Sequence, residues 1–232
     1  MEKVIEISTN VLIFDYTIYP RHNIDDFHVA LIAEAIRAGK SLPPCVIDSK
    51  SKRIVDGWHR IKAHIKIYGT EKKITVIAKK YGDEAELFLD SVKLNAEHGK
   101  RLSSYDIARC ITKAEEMNID PSFMAANLGM TVEKLSDLRI KKVAQSDNGP
   151  VPIKRALVHF ARNGMKLSLS QQEAMKGIGG MSAHYLVGQI IALVEADLID
   201  YSNMSLVKKL RYLASIIEVR VPEPSSGDSV SK

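Results

Sequence analysis

Apolar and polar positions change period several times along the chain, and each change marks an expected element. Residues 4–7 and 11–14 are apolar and β-branched and predict two short strands. Behind Asp25 and Asp26, which suit a helix cap, Val29, Ile32, Ala33 and Ile36 recur at helical spacing as far as Ala38. Gly39 is the natural stop. Cys45–Asp48 and residues 53–55 predict a strand pair around the polar turn 49–52. A helix is expected over Trp58–Tyr68, a strand over 74–78, and a helix over 83–98, whose acidic start suits a helix N-terminus.

The next stretch carries clear start and stop signals. Ser103 and Asp106 fit a capping box, with Ile107, Ile111 and Ala114 at helical spacing behind it. Asp120-Pro121 places a cap ahead of a proline at the first helical position. Residues 121–140 fit a helix-turn-helix. Ala125 is the small residue where a second helix crosses closely, Gly129 stands at the turn, Thr131 caps the second helix, and Leu135 and Leu138 face inward. Val132, Glu133, Lys134, Ser136 and Asp137 then face outward, toward a major groove. A hairpin with a packing role alone is the alternative. Glu133 and Asp137 oppose docking on phosphates unless they accept from cytosine.

Past the polar break at 146–150 the pattern reads as helical: 152–162 with Ile153, Ala156, Leu157 and Phe160, then a helix begun by Ser168 or Ser170 and broken at 177–180. A long apolar helix follows Ser182 over 183–199, and Ser205 caps the last one. There Leu206, Leu210, Leu213 and Ile217 form a stripe that suits a local core better than a dimer seam. Gly177-Ile178-Gly179-Gly180 lacks the Gly-Lys-Ser/Thr ending and the preceding strand of a phosphate loop. The Ser-, Pro- and Gly-rich tail, 222–232, is expected to be disordered.

Composition sets the class. The 232 residues, 45% hydrophobic and 26% charged, describe a soluble globular chain with room for one large domain or two to three small ones. No run approaches the ~20 apolar residues of a bilayer span. The start, Met1-Glu2-Lys3-Val4, has neither segment of a secretory signal, so a cytoplasmic protein with no membrane partner is expected. Cys45 and Cys110 lie far apart and read as small buried hydrophobes in a reducing compartment; no metal site and no catalytic set stands out. A net charge of +5 and a pI of 9.0 are mild. Distribution says more: Lys50, Lys52, Arg53, Arg60, Lys62, Lys66, Lys72, Lys73, Lys79 and Lys80 face only Asp56 and Glu71 in the same stretch. Arg139, Lys141 and Lys142 form a second basic group. Such clusters attract phosphate, and a solvated face is the other reading of them.

The run Ile54-Val55-Asp56-Gly57-Trp58-His59-Arg60-Ile61-Lys62-Ala63 carries the chemistry. A strand, a tight turn at Gly57 and an immediate helix expose the first helical N–H groups, where the helix dipole favours an anion such as phosphate. Arg60 offers a charged fork and His59 a donor that titrates near neutrality. The same spacing also describes an ordinary β-turn-α junction.

These residues resemble the signature box of the ParB/sulfiredoxin superfamily, whose Gly-x-(His or Arg)-Arg-x-x-Ala core is matched by 57–63. Tyr19-Pro20-Arg21 is similar to the Pro-Arg that opens that domain, and 39–47 to its Gly-x-x-x-(Gln)-Pro-hydrophobic strand entry, with Pro43 in place of the glutamine. Asn95-Ala96-Glu97-His98-Gly99 through Leu102 is similar to the Asn-x-x-His-Gly-x-x-Leu stretch of ParB-like regulators of the StrR type. It reproduces the Glu-Asn-x-x-Arg element of the loading ParB proteins only in part. The resemblance covers roughly residues 1–142.

It implies an α+β N-terminal ParB/sulfiredoxin-like domain over 1–82, a connecting helix and all-α helix-turn-helix over 83–143, and a helical C-terminal region over 144–221. The implied function is a nucleoid-associated DNA-binding protein of partition or transcriptional regulation. Gly57, His59, Arg60, Arg21 and Asn95 would hold nucleotide phosphate, and Thr131, Glu133, Lys134, Ser136, Asp137, Arg139, Lys141 and Lys142 would meet DNA. The cofactor it implies is CTP or another nucleotide with Mg2+, with CTP or ATP hydrolysis left open. The partners are double-stranded DNA, a second copy in a homodimer, and a partner ATPase. Sulfiredoxin chemistry needs a cysteine where Trp58 stands. The Asp-Gly-His-His-Arg box of free-serine kinases is close to 56–60, which keeps a small-molecule kinase or nucleotidase, with His59 or Asp56 as base, as the alternative.

Overall fold

A mixed sheet forms the base of the structure, a computed structural model that describes residues 2–97, 101–179 and 181–223. The elements fall into two units, residues 1–182 and 183–232. In the first, β1 (Lys3–Ser8), β2 (Cys45–Asp48), β3 (Ile54–Asp56) and β4 (Lys73–Lys79) are ordered β1-β4-β2-β3. β2 runs parallel to β4, and the other pairs are antiparallel. β2 is buried at every position, as an interior strand should be, whereas in β4 Ile74, Val76 and Ala78 alternate onto the core face.

Two helices pack beside this sheet. α1 (Asp26–Arg37) is capped by the Asp25 carboxylate, which accepts from the His28 N–H at 3.1 Å, and it ends before Gly39 at φ +77°. α2 (Trp58–Tyr68) buries Trp58, Ile61 and Ala63. Trp58 organises the core around it. Its indole N–H donates to the Ile54 carbonyl at 3.1 Å, and Tyr19 stacks on its face at 3.8 Å between ring centres. Phe14 and Tyr16 meet it edge-on. Removing an aromatic cluster of this size from water contributes several kcal/mol.

The strand expected over 11–14 is not formed. Thr9 donates through its backbone and hydroxyl to the carbonyls of Lys72 and Thr70, which turns the chain into a 3-10 turn at Thr9–Val11. Only an isolated bridge, Ile13 to Arg53, remains of the expected pairing.

Four helices follow: α3 (Glu84–Glu97), α4 (Ser104–Glu116), α5 (Pro121–Asn127) and α6 (Val132–Lys142). Their shared core holds Phe88 and Val92 of α3, Ala108, Ile111 and Ala114 of α4, Met124 and Ala125 of α5, and Leu135 of α6. The capping box between Ser103 and Asp106 is complete, and Pro121 opens α5 behind the Asp120 cap. α5 and α6 are joined through Gly129 at φ +63°, and Thr131 caps α6 by accepting from the Lys134 N–H. Helix 83–98 is expected to end on His98, which with Gly99 and Lys100 lies outside the described residues.

The region expected to be helical from 144 contains a sheet instead. β5 (Val143–Ser146) and β6 (Gly149–Pro152) form an antiparallel hairpin, and β7 (Lys166–Leu167) pairs parallel to β5. The polar break at 146–150 is the hairpin turn. The Ser146 hydroxyl donates to the Gly149 carbonyl and accepts from the Asn148 N–H, and Gly149 adopts φ +109°. Pro150 and Pro152 are tolerated because β6 lies at the edge of its sheet. The expected helix 152–162 is thereby reduced to a 3-10 turn, Arg155–Leu157, and α7 (Val158–Arg162). α8 (Leu169–Gly177) begins at the capping box of Ser168 and Gln171.

The second unit holds α9 (Ala183–Glu195) and α10 (Met204–Arg220). Asn203, not Ser205, caps α10 by accepting from the Leu206 N–H. Neither helix has a buried residue: Leu206, Leu210 and Leu213 are half-buried and Ile217 is exposed, so the stripe does not close a core. Among the described residues no helix is long and apolar enough to cross a membrane. Of the tail expected to be disordered, 224–232 lie outside the described residues.

Candidate functional site

The turn between β3 and α2 opens into a cavity of about 620 Å3 whose wall includes Arg21, His28, Pro43, Trp58, His59 and Arg60. Gly57 makes the turn at φ +99°, in the left-handed region that favours glycine. A Cβ added there would lie 2.5 Å from the Cys45 Sγ and 2.9 Å from its Cβ, so the side chain of β2 also requires a glycine. The first N–H groups of α2 have no acceptor inside the helix and carry its partial positive charge.

Arg60 is already engaged. Its guanidinium pairs with Asp56 at 2.5 Å and donates to the carbonyls of Pro43 and Pro44 at 2.7 and 3.2 Å. The fork expected to face a phosphate thus closes onto its own carboxylate and onto the strand-entry loop. His59 accepts the Asp25 N–H at Nε2, at 3.2 Å, so in the neutral ring the proton lies on Nδ1. Its ring stands edge-on to His28, 5.1 Å between centres. Arg21 is buried and donates to the backbone carbonyls of Asn95 and Arg101. Asn95 also lines the cavity, but its amide nitrogen is held by the carbonyls of Ser91 and Val55, the latter also bonded by the Ser91 hydroxyl. Asn95 and Ser91 therefore fasten α3 to the strand that leads into the turn.

The cavity brings together all five residues that the sequence assigned to phosphate. It adds His28 and Glu97, and Cys45 packs behind Gly57 outside the cavity wall; no local spacing announces these. Burial pushes the Cys45 thiol up to about 11 and the Cys110 thiol up to about 12, which keeps both protonated at neutral pH. Asp56 and Glu97 are the carboxylates in the cavity wall, and among the described residues no cluster of three or more His, Cys, Asp or Glu is placed to hold a metal ion.

The residues assigned to DNA lie on or beside α6. Glu133, Lys134, Ser136, Asp137 and Lys141 are exposed, with Lys141 paired to Asp137 at 3.1 Å. Thr131 serves as the helix cap. Arg139 pairs instead with Glu115 of α4 at 2.5 Å, which ties the two helices together. Lys142 is half-buried, and burial with Arg155 and Arg162 nearby lowers its pKa.

No model of a known protein family matches the chain. It is similar to a "Streptomycin biosynthesis operon possible regulatory protein" of Streptomyces griseus, 30% identical over 151 residues, which cover 64% of this chain and 39% of that protein. The chain thus spans well under half the length of that relative. It is also similar to two structures of the C-terminally truncated chromosome-partitioning protein ParB from Caulobacter crescentus, each 14% identical. The one complexed to the centromeric parS site has a TM-score of 0.43 over 58% of this chain and 70% of that one. The one complexed with CTP-gamma-S has 0.37 over 60% and 77%.

Proposed function

We propose that this chain is a ParB-like DNA-binding regulator whose α/β part takes up a nucleotide by its phosphates and whose α5–α6 pair docks on duplex DNA. The observation that carries the nucleotide half is the Gly57 turn, which presents the start of α2 to a cavity of about 620 Å3 with Arg21, His59 and Arg60 in its wall. Unsatisfied N–H groups at a helix start favour an anion, and the volume lies within the range of small-ligand sites. CTP with Mg2+ is the first nucleotide to test, because the box 57–63 resembles one that holds it. The 30% identity over 151 residues to a protein described as a possible regulatory protein favours regulation over partition. The same reading makes the protein a homodimer on a palindromic site, with a partner ATPase needed only for partition.

The kinase or nucleotidase alternative has less support. Asp56 is paired with Arg60, and His59 Nε2 already accepts a backbone N–H, so neither is poised as a general base.

Two measurements test the proposal. Labelled CTP is titrated with Mg2+ and competed with ATP and tripolyphosphate. Saturable binding is expected, with at least a tenfold loss in Arg60→Ala at unchanged circular dichroism, and unchanged affinity would refute the nucleotide site. Selection from a randomised duplex library is expected to enrich a palindrome whose binding falls steeply with salt. Absence of enrichment would reduce α5–α6 to a packing hairpin.

A further inference from the structure

A second cavity, of about 360 Å3, has Tyr19 in its wall, the ring that stacks on Trp58 in the wall of the larger cavity, and the two share no lining residue. The wall of the smaller one joins the loop carrying Tyr16 and Tyr19 to Phe88 of α3 and to Tyr105 and Arg109 of α4. Four aromatic rings around so small a volume suit a flat, unsaturated guest. The charge balance is one-sided. Lys113 in the wall is matched by Glu116 at 3.1 Å, whereas the half-buried Arg109 has no carboxylate partner among the described residues. Its guanidinium donates only to the Arg21 carbonyl, at 3.3 Å. Asp106, the buried carboxylate of the same helix, is taken by Ser103 and His22.

We propose that this cavity binds a small aromatic carboxylate, with the ring between the tyrosines and the carboxylate on Arg109. The site is separate from the nucleotide cavity and does not depend on the nucleotide reading. A monoanion fits because it neutralises the single unmatched charge. A polyanion would bring excess negative charge beside Glu116, and a neutral aromatic would leave the guanidinium unmatched.

The full chain is titrated with 2-naphthoate, without nucleotide, by saturation-transfer NMR and calorimetry, alongside the neutral isostere 2-naphthamide. Saturable one-to-one binding of naphthoate is expected, at least tenfold tighter than that of the amide. Arg109→Gln is expected to remove this preference, and Arg109→Lys, which keeps the charge, to retain it within a fewfold. Arg60→Ala, in the other cavity, is expected to leave naphthoate binding unchanged. No saturable binding, or equal binding of acid and amide, overturns the proposal. So does a preference that survives Arg109→Gln, or competition of naphthoate with nucleotide that Arg60→Ala abolishes. CTP failing to bind while naphthoate binds would remove the nucleotide reading and leave this one standing.

Discussion

Asp56→Asn is expected to tighten nucleotide binding, the opposite of what removing a polar residue from a binding site usually does. In the free protein the Asp56 carboxylate holds Arg60 at 2.5 Å, with side chains only 14% and 16% exposed. An incoming phosphate meets this negative charge at the mouth of its own site. Two like charges about 8 Å apart repel by about 1 kcal/mol at an effective dielectric of about 40, and a triphosphate sums several such terms to roughly 2 kcal/mol. Screening over a Debye length of about 8 Å halves this, so the asparagine variant should bind roughly fivefold more tightly. Asparagine keeps the shape and one acceptor, and Arg60 keeps the carbonyls of Pro43 and Pro44, so the fold should lose only about 1–2 kcal/mol. The assay is calorimetric titration with CTP and Mg2+ at low and at high salt, paired with urea unfolding. The gain should shrink as salt rises. Binding weakened threefold or more at intact fold would refute the reasoning, because Asp56 would then touch the ligand or its metal, as the enzymatic alternative requires.

Gly57→Ala should lower stability by about 3 kcal/mol, from the left-handed backbone and the 2.5 Å approach to Cys45 Sγ together, measured by urea unfolding; a loss under 1 kcal/mol would show that β2 yields. For Asp106, burial alone would raise the pKa, but hydrogen bonds from Ser103 and His22 outweigh it and hold the carboxyl below 3.8. A folded-state pKa below the unfolded one gives stability that is complete above the unfolded value and fades as pH falls through the folded one. Asp106→Asn should therefore lose about 2 kcal/mol at pH 7 and progressively less below about pH 4, and a loss independent of pH would contradict this. Lys134→Ala with Lys141→Ala should flatten the log–log salt dependence of duplex binding by about 2 while leaving the enriched sequence unchanged; an unaltered slope would move the DNA contact off α6.

Sequence reasoning succeeded where the determining chemistry is local. Asp25, Ser103, Asp120, Thr131 and Ser168 each cap the helix that follows, because a side-chain oxygen bonding an N–H two or three residues on depends on nothing distant. It failed at 143–152, where two prolines and an Asp-Asn-Gly turn read equally well as a break between helices. The strands there pair with each other across the 146–149 turn, and β5 pairs besides with Lys166 and Leu167, farther along the chain. The site divides in the same way. The donor types at Gly57–Arg60 are legible in one short run, whereas the pairing of Asp56 with Arg60 depends on the turn that carries the chain from β3 into α2. That Arg60 is also held by the carbonyls of Pro43 and Pro44, and that Gly57 is packed against Cys45, depends on where β2 lies in the sheet. A motif therefore names the groups able to bind an anion, while the surrounding fold decides which of them are already engaged before it arrives. That distinction makes Asp56, rather than Arg60, the residue whose replacement tells a phosphate site from a catalytic one.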